Sequence, residues 1–168
     1  IQAEYNILPV LKYYSINLLH MIFISHYDMD HSGGLKLLKK TLPINTIYDN
    51  GNPQETTFRQ KQIRKSANIT LGENAAITQL YPSIYNRGES KNDNSIVLKL
   101  DIKNISFLFT GDIEYNMEQK LVLNEGTNLK TTVLKASHHG SKTSSSAQFI
   151  NVAEPLITVI SCSLNNRY

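Results

Sequence analysis

Tryptophan is absent and cysteine occurs once, as Cys162, among the 168 residues of this chain. One thiol excludes an internal disulfide framework and any zinc cluster built on cysteines. Long apolar runs are missing too, since none reaches the roughly 18–20 residues of a membrane-spanning helix. The opening stretch, IQAEYNILPVLKYY, has neither the basic segment nor the continuous apolar segment of a secretory signal. It starts on Ile1 rather than methionine, so a cut or partial chain is expected. Excess charge is lacking as well, with 17 Lys+Arg against 14 Asp+Glu and a formal net charge of +3. Such a balance is compatible with a polyanionic partner but does not require one. What remains, 40% hydrophobic and 18% charged residues, is the composition of a folded globular chain. At this length a single domain over residues 1–168 is expected.

Against this plain background stands FISHYDMDHSGG, residues 23–34. His26, Asp28, Asp30 and His31 crowd together directly after an apolar run. Carboxylates at alternate positions repel each other, and none of the four side chains suits a core. A divalent cation held by convergent ligands offsets that cost. Gly33 and Gly34, which follow, let the backbone pass close to such ions without a Cβ clash.

Along the chain, helical and extended patterns alternate. Residues 6–16 have the spacing of an amphipathic helix with Ile7, Val10, Leu11 and Tyr14 on one face. Residues 18–25 read as a buried strand and 34–42 as a helix with Leu35, Leu38 and Leu42 inward, stopped by Pro43. A strand and turn follow over 44–51, then a helix over 55–67. Strands are expected at 75–82 and in a hairpin around Lys103-Asn104. A helix over 113–126 ends at Gly126. Then come a strand at 131–136, a short helix within 144–155 and a last strand from Leu156. Residues 83–95, SIYNRGESKNDNS, read as an exposed loop. Alternating elements with strands apolar enough to be covered on both faces predict α/β layering.

Four polar sets lie beside the expected strands: SHYDMDHSGG, NDNS, TGD and SHHGSKTSSS. Loops at strand ends commonly converge on one crevice, where ligands gather. Taken singly, TGD is a turn and NDNS a loop or cap; their shared placement makes a common site of all four. Ser141, Lys142 and the hydroxyls of 143–146 can offer donors to a phosphate. They can equally solvate a loop and cap the next helix.

HYDMDHSGG closely resembles the signature loop of the metallo-β-lactamase superfamily, His-x-His-x-Asp-His followed by glycine. Asp28 in the second ligand place resembles the ComEC competence-protein branch and its stand-alone relatives. LKASHHGSKTSSS, NDNSIVLKL with FLFTGD, and ISCSLNNRY resemble that branch as well. The likeness runs from ILPVLKYYSI to Tyr168. It implies a four-layer αββα sandwich, incomplete at both ends in this chain, with a dinuclear metal site along one rim. By matching position, His26 and Asp28 would hold the first ion and Asp30 and His31 the second. Asp112 would bridge the two, with Asp30 and Asp112 the catalytic carboxylates. His138 or His139 would complete one coordination sphere, His138 being preferred because it stands nearer the strand end. Asn94, Ser141 and Lys142 would contact substrate.

Three departures from the family pattern stand out. The N-terminal strands with their Gly-Asp-Ala turn and the final Gly-His-Pro are absent, and Asp93 or Asn94 replaces the usual third-motif histidine. The two divalent ions would be Mn²⁺ or Zn²⁺, and the oxygen-rich ligand set would suit Mn²⁺ better than a three-histidine zinc site does. The function so implied is a metal-dependent phosphodiesterase or nuclease acting on DNA in competence-linked uptake. Its partner would be the membrane channel domain of a parent protein, with this domain outside the cytoplasm. A hydrolase of a lactone, thioester or phosphocholine ester, and a non-catalytic DNA-guiding module, are the alternatives.

Overall fold

The computed structural model describes residues 3–52, 61–62 (backbone only), 68–82 and 89–162. A π-helical turn, Ala3–Ile7, runs into α1 (Leu8–Tyr13), and β1 (Leu19–Phe23) follows. Two short helices, α2 (Met29–Ser32) and α3 (Leu35–Thr41), lead to β2 (Ile44–Asp49). β1 and β2 pair in parallel with Leu19 opposite Ile44, and β3 (Lys61–Gln62) adds in parallel beyond β2.

The second sheet has six strands in chain order: β4 (Asn68–Thr70), β5 (Ala75–Tyr81), β6 (Val97–Ile102), β7 (Ile105–Phe109), β8 (Val133–Lys135) and β9 (Ile157–Val159). Its first half is antiparallel, and β7, β8 and β9 run parallel. The parallel half needs crossover connections. α4 (Tyr115–Glu125) and α5 (Ala147–Ala153) supply them.

Strand periodicity sorts the side chains into layers. Leu108 of β7 and Leu134 of β8 point outward onto Met117 and Leu121 of α4 and Phe149 and Ala153 of α5. Met117 and Leu121 stand four residues apart on one helical face, and Gly126 ends the helix at φ +50°. Leu108, Met117, Leu121, Leu134 and Phe149 are at most 2% exposed, and each such side chain contributes on the order of 1.5–3 kcal/mol. Between the sheets lie Ile77, Ile96 and Leu98, with Phe23 packed against them. Ile24 and Ile47 meet Leu35 of α3 on the far side of the first sheet. The order helix, sheet, sheet, helix is the αββα sandwich expected from the sequence.

Several local expectations are corrected. Within 55–67, read as a helix, the described residues Lys61–Gln62 form a strand, and the rest lies outside the described residues. The short strand β4 was not legible; it pairs with β5 through a turn at Gly72. Ile7, Val10 and Tyr14, expected inward, are exposed, and the N-terminal segment buries Ala3 instead. Gly34 serves that contact rather than an ion, because a Cβ there would lie 2.6 Å from the Ala3 methyl. Among the described residues the last strand is an edge, with Ile157 and Val159 exposed. Asp93, Asn94 and Ser95, read as exposed loop, are buried, while 83–88 lie outside the described residues.

Candidate metal centre

The strand order places the loops after β1, β7 and β8 and the loop before β6 on one rim. Beyond β1 the chain stays anchored to both sheets, with Ile24 N–H donating to the Tyr48 carbonyl and Ile96 N–H donating to that of Ser25. His26 follows and is 1% exposed. Tyr27 donates its hydroxyl to Asp49 Oδ2 at 2.5 Å, which ties the motif to the end of β2. The Asp28 carbonyl accepts from His31 N–H at 3.0 Å and Ser32 N–H at 2.9 Å, starting the short helix that presents Asp30 and His31. After β7, Gly111 turns at φ +57° and delivers Asp112, 4% exposed. After β8, His138 and His139 both take left-handed backbone, φ 46° and 55°. Non-glycine residues rarely sit there, and they concentrate at functional sites.

These segments converge. Asp112 Oδ2 lies 3.0 Å from His31 Nε2, 3.5 Å from His139 Nε2 and 3.9 Å from His26 Nε2. Asp30 Oδ2 lies 3.0 Å from His139 Nε2 and 3.5 Å from His31 Nε2. One ligand atom from each of Asp30, His31, Asp112 and His139 falls within 4.8 Å of the others, the spacing of a cation site. On the other flank, Asp28 Oδ2 stands 3.8 Å from His26 Nε2. Asp28 thus neighbours His26 while Asp30 neighbours His31 and His139, and Asp112 Oδ2 lies within 3.9 Å of all three imidazoles. The preference for His138 is corrected. It turns away, with Nδ1 3.3 Å from Glu114 Oε1, and His139 joins the cluster.

Of the residues expected to contact substrate, only Lys142 is exposed. Asn94 is fully buried and its amide donates to the carbonyls of Glu89 and Ser90. Ser141 Oγ is 3.0 Å from Thr143 Oγ1 inside its own loop. The serine run is spent on structure, because Ser146 caps α5 and buried Glu118 accepts from the N–H groups of Ser145 at 2.5 Å and Ser146 at 2.8 Å.

Lys135 at the end of β8 was missed by the sequence reading. Its Nζ donates to the Gly111 carbonyl at 3.2 Å and lies 3.8 Å from Asp112 Oδ1. A cavity of about 390 Å³ opens between the sheets, walled by Phe23, Leu98, Leu100 and Phe109, with His31 and Lys135 among its lining.

The electrostatics suit ligand donation. Burial and the neighbouring His31 push the His26 imidazolium down from its usual range, outweighing Asp112 and the other carboxylates, which favours the neutral ring that a metal ligand must be. Burial alone would raise the Asp112 carboxyl. The His31 hydrogen bond and the charges of His31, Lys135 and His26 prevail and hold it at about 2. Burial depresses Lys135, partly offset by Asp112. Buried His26 Nε2 and Asp112 Oδ1 have no hydrogen-bond partner among the described residues. Buried polar atoms are seldom left so. An orphaned imidazole nitrogen and carboxylate oxygen in a mixed imidazole–carboxylate set fit a divalent cation.

The fold and this rim define a class: the chain belongs to the metallo-β-lactamase superfamily, in general metal-dependent hydrolases, whose family model matches residues 2–163. Within it the chain is similar to competence proteins. It is 29% identical to ComE operon protein 3 of Bacillus subtilis and 32% identical to competence protein ComA of Neisseria gonorrhoeae, over 99% of this chain and 23% of each relative. It is 31% identical to recombination protein 2 of Haemophilus influenzae over 95% of this chain and 19% of that protein. The chain therefore spans about a quarter or less of the length of these relatives. CmlA, a diiron beta-hydroxylase from Streptomyces venezuelae, shares the fold at a TM-score of 0.52 and 12% identity, over 84% of this chain and 35% of that one. No described helix is long and apolar enough to cross a membrane.

Proposed function

We propose that this chain is the dinuclear, metal-dependent phosphodiesterase domain of a DNA-uptake protein, with DNA as its substrate. The carrying observation is the two-flanked cluster, His26 and Asp28 against Asp30, His31 and His139, with Asp112 between. Two divalent cations held there, Mn²⁺ or Zn²⁺, would supply Lewis acidity toward a phosphodiester and an activated water. The protein's part is to hold the two donor sets on either side of Asp112 and to keep His26 unprotonated. Asp112 stays ionised throughout the physiological range, so it can serve both flanks. Exposed Lys142 offers a cation to an incoming phosphate. Similarity to competence proteins supports the DNA reading and, with it, a membrane channel domain as partner and a place outside the cytoplasm.

The apolar cavity with His31 and Lys135 in its lining favours a second reading, a hydrolase of a small ester whose apolar part enters that cavity. The two are separated by assaying the chain with Mn²⁺ and Zn²⁺ on single- and double-stranded DNA beside a lactone and a phosphocholine ester. Metal-dependent DNA cleavage that weakens with salt, as counterion release demands, is expected. Cleavage of the small ester with DNA left intact would replace the first reading by the second. Binding of DNA without any cleavage would make the domain a guiding module.

A further inference from the structure

Two serines stand directly behind the ligand histidines. Ser25 Oγ lies 3.1 Å from His31 Nδ1 and 3.2 Å from His26 Nδ1. Ser95 Oγ lies 3.1 Å from His26 Nδ1 and accepts the Asp112 N–H at 3.0 Å. Ser95 is fully buried. Both press on one point of the chain, since a Cβ on Gly111 would fall 2.5 Å from Ser95 Cβ and 3.2 Å from Ser25 Cβ. The absence of a side chain at residue 111 is what lets the hydroxyls reach the rings.

We propose that Ser25 and Ser95 are positioning residues that fix His26 and His31 for ligation through Nε2, and that Ser95 registers Asp112 to the same frame. This rests on the dinuclear reading above. A neutral imidazole carries one hydrogen, so an Nε2 lone pair aimed at a cation requires that hydrogen on Nδ1, with an acceptor to receive it. Each hydroxyl oxygen has two lone pairs. Ser25 receives His31 and a share of His26; Ser95 receives the rest of His26 and the Asp112 amide. The acceptors are fully used. His139 shows the same logic through another group, its Nδ1 standing 2.6 Å from the Ser161 carbonyl. A carbonyl only accepts, so Nδ1 carries the hydrogen and Nε2 faces Asp30 and Asp112. All three imidazoles are thus backed at Nδ1, with Nε2 turned toward Asp112 Oδ2.

The test is Zn²⁺ titration calorimetry on wild type, Ser25→Ala, Ser95→Ala and Ser25→Thr, with circular dichroism to confirm folding. Loss of such backing groups typically costs roughly 10–100-fold in metal affinity, which is expected for both alanine variants, with Ser25→Thr recovering most of it. Imidazole ¹⁵N spectra of the Zn²⁺-loaded protein add a reading that packing alone would not move. Wild type should show slowly exchanging Nδ1–H signals from His26 and His31. Ser25→Ala should lose that of His31 and keep that of His26, which Ser95 still receives. Folded alanine variants binding Zn²⁺ within twofold of wild type, with both signals intact, overturn the assignment while the metal reading stands. A wild type that takes up no Zn²⁺ or Mn²⁺ overturns the metal reading, and the assignment with it.

Discussion

Lowering the pH of the metal-free protein probes the centre through Asp112. In the fold its carboxyl is held at about 2, against 3.8 for an unperturbed aspartate. A carboxyl depressed by folding stabilises the native state above its unfolded pKa. That contribution is lost as pH falls from about 4 toward 2, because the unfolded chain takes up the proton first. At roughly 1.4 kcal/mol per tenfold change in affinity, the contribution is about 2 kcal/mol. Asp112 is almost wholly buried, so solvent screening removes little of it. The depressed His26 works in the same direction, since the unfolded imidazole protonates before the folded one. The assay is urea unfolding in chelator at steps from pH 7 to pH 2, on wild type and Asp112→Asn. Wild type should be the more stable near neutrality, by about 2 kcal/mol, and the two curves should converge below pH 3. Curves that stay parallel across that window would refute the assignment of this charge to the His31, Lys135 and His26 contacts.

Asp30→Ala should abolish two-ion binding in calorimetry and metal-dependent hydrolysis, with an unchanged circular dichroism melt, because its side chain is 54% exposed and supports no core. His139→Ala should weaken metal binding by more than about tenfold, whereas His138→Ala, which faces Glu114, should stay within about threefold in the same titration. Glu118→Gln replaces a fully buried carboxylate that receives two N–H groups. It should cost about 2–3 kcal/mol and lower the melting temperature by roughly 5–10 °C while leaving metal stoichiometry unchanged.

The layering and most of the centre were legible because both have short-range signatures. Leu35 and Leu38 mark a helical face, the run 97–109 alternates around Lys103-Asn104, and HYDMDH crowds its donors into one loop. What escaped depends on distant chain. Nothing local distinguishes His138 from His139; the choice is made by left-handed backbone at both residues and by Ser161 behind the second ring. NDNS reads as loop by composition, yet Asn94 O accepts from Asn50 Nδ2 and Ser95 lies behind His26, so the segment is drawn inside. The hydroxyls of KTSSS look available to phosphate, but Glu118, buried in a helix many residues earlier, takes the backbone donors. A serine immediately before the first ligand histidine was the one sequence signal of the backing hydroxyls, and it carries meaning only once Ser95 and Gly111 are beside it.

The approach of His31 to His139 has a consequence for the chain as a polymer. The two residues are 108 positions apart and belong to loops of different sheets. A covalent cross-link closing a loop near that size removes enough freedom from the unfolded chain to be worth roughly 4–5 kcal/mol in the chain-entropy account. With one cysteine, this chain has no such bond to make within itself. An ion seated between the two rings would be a reversible counterpart, clasping the sheets together to an extent set by its free concentration. For this molecule a chelator would do what a reductant does to a disulfide-stapled one.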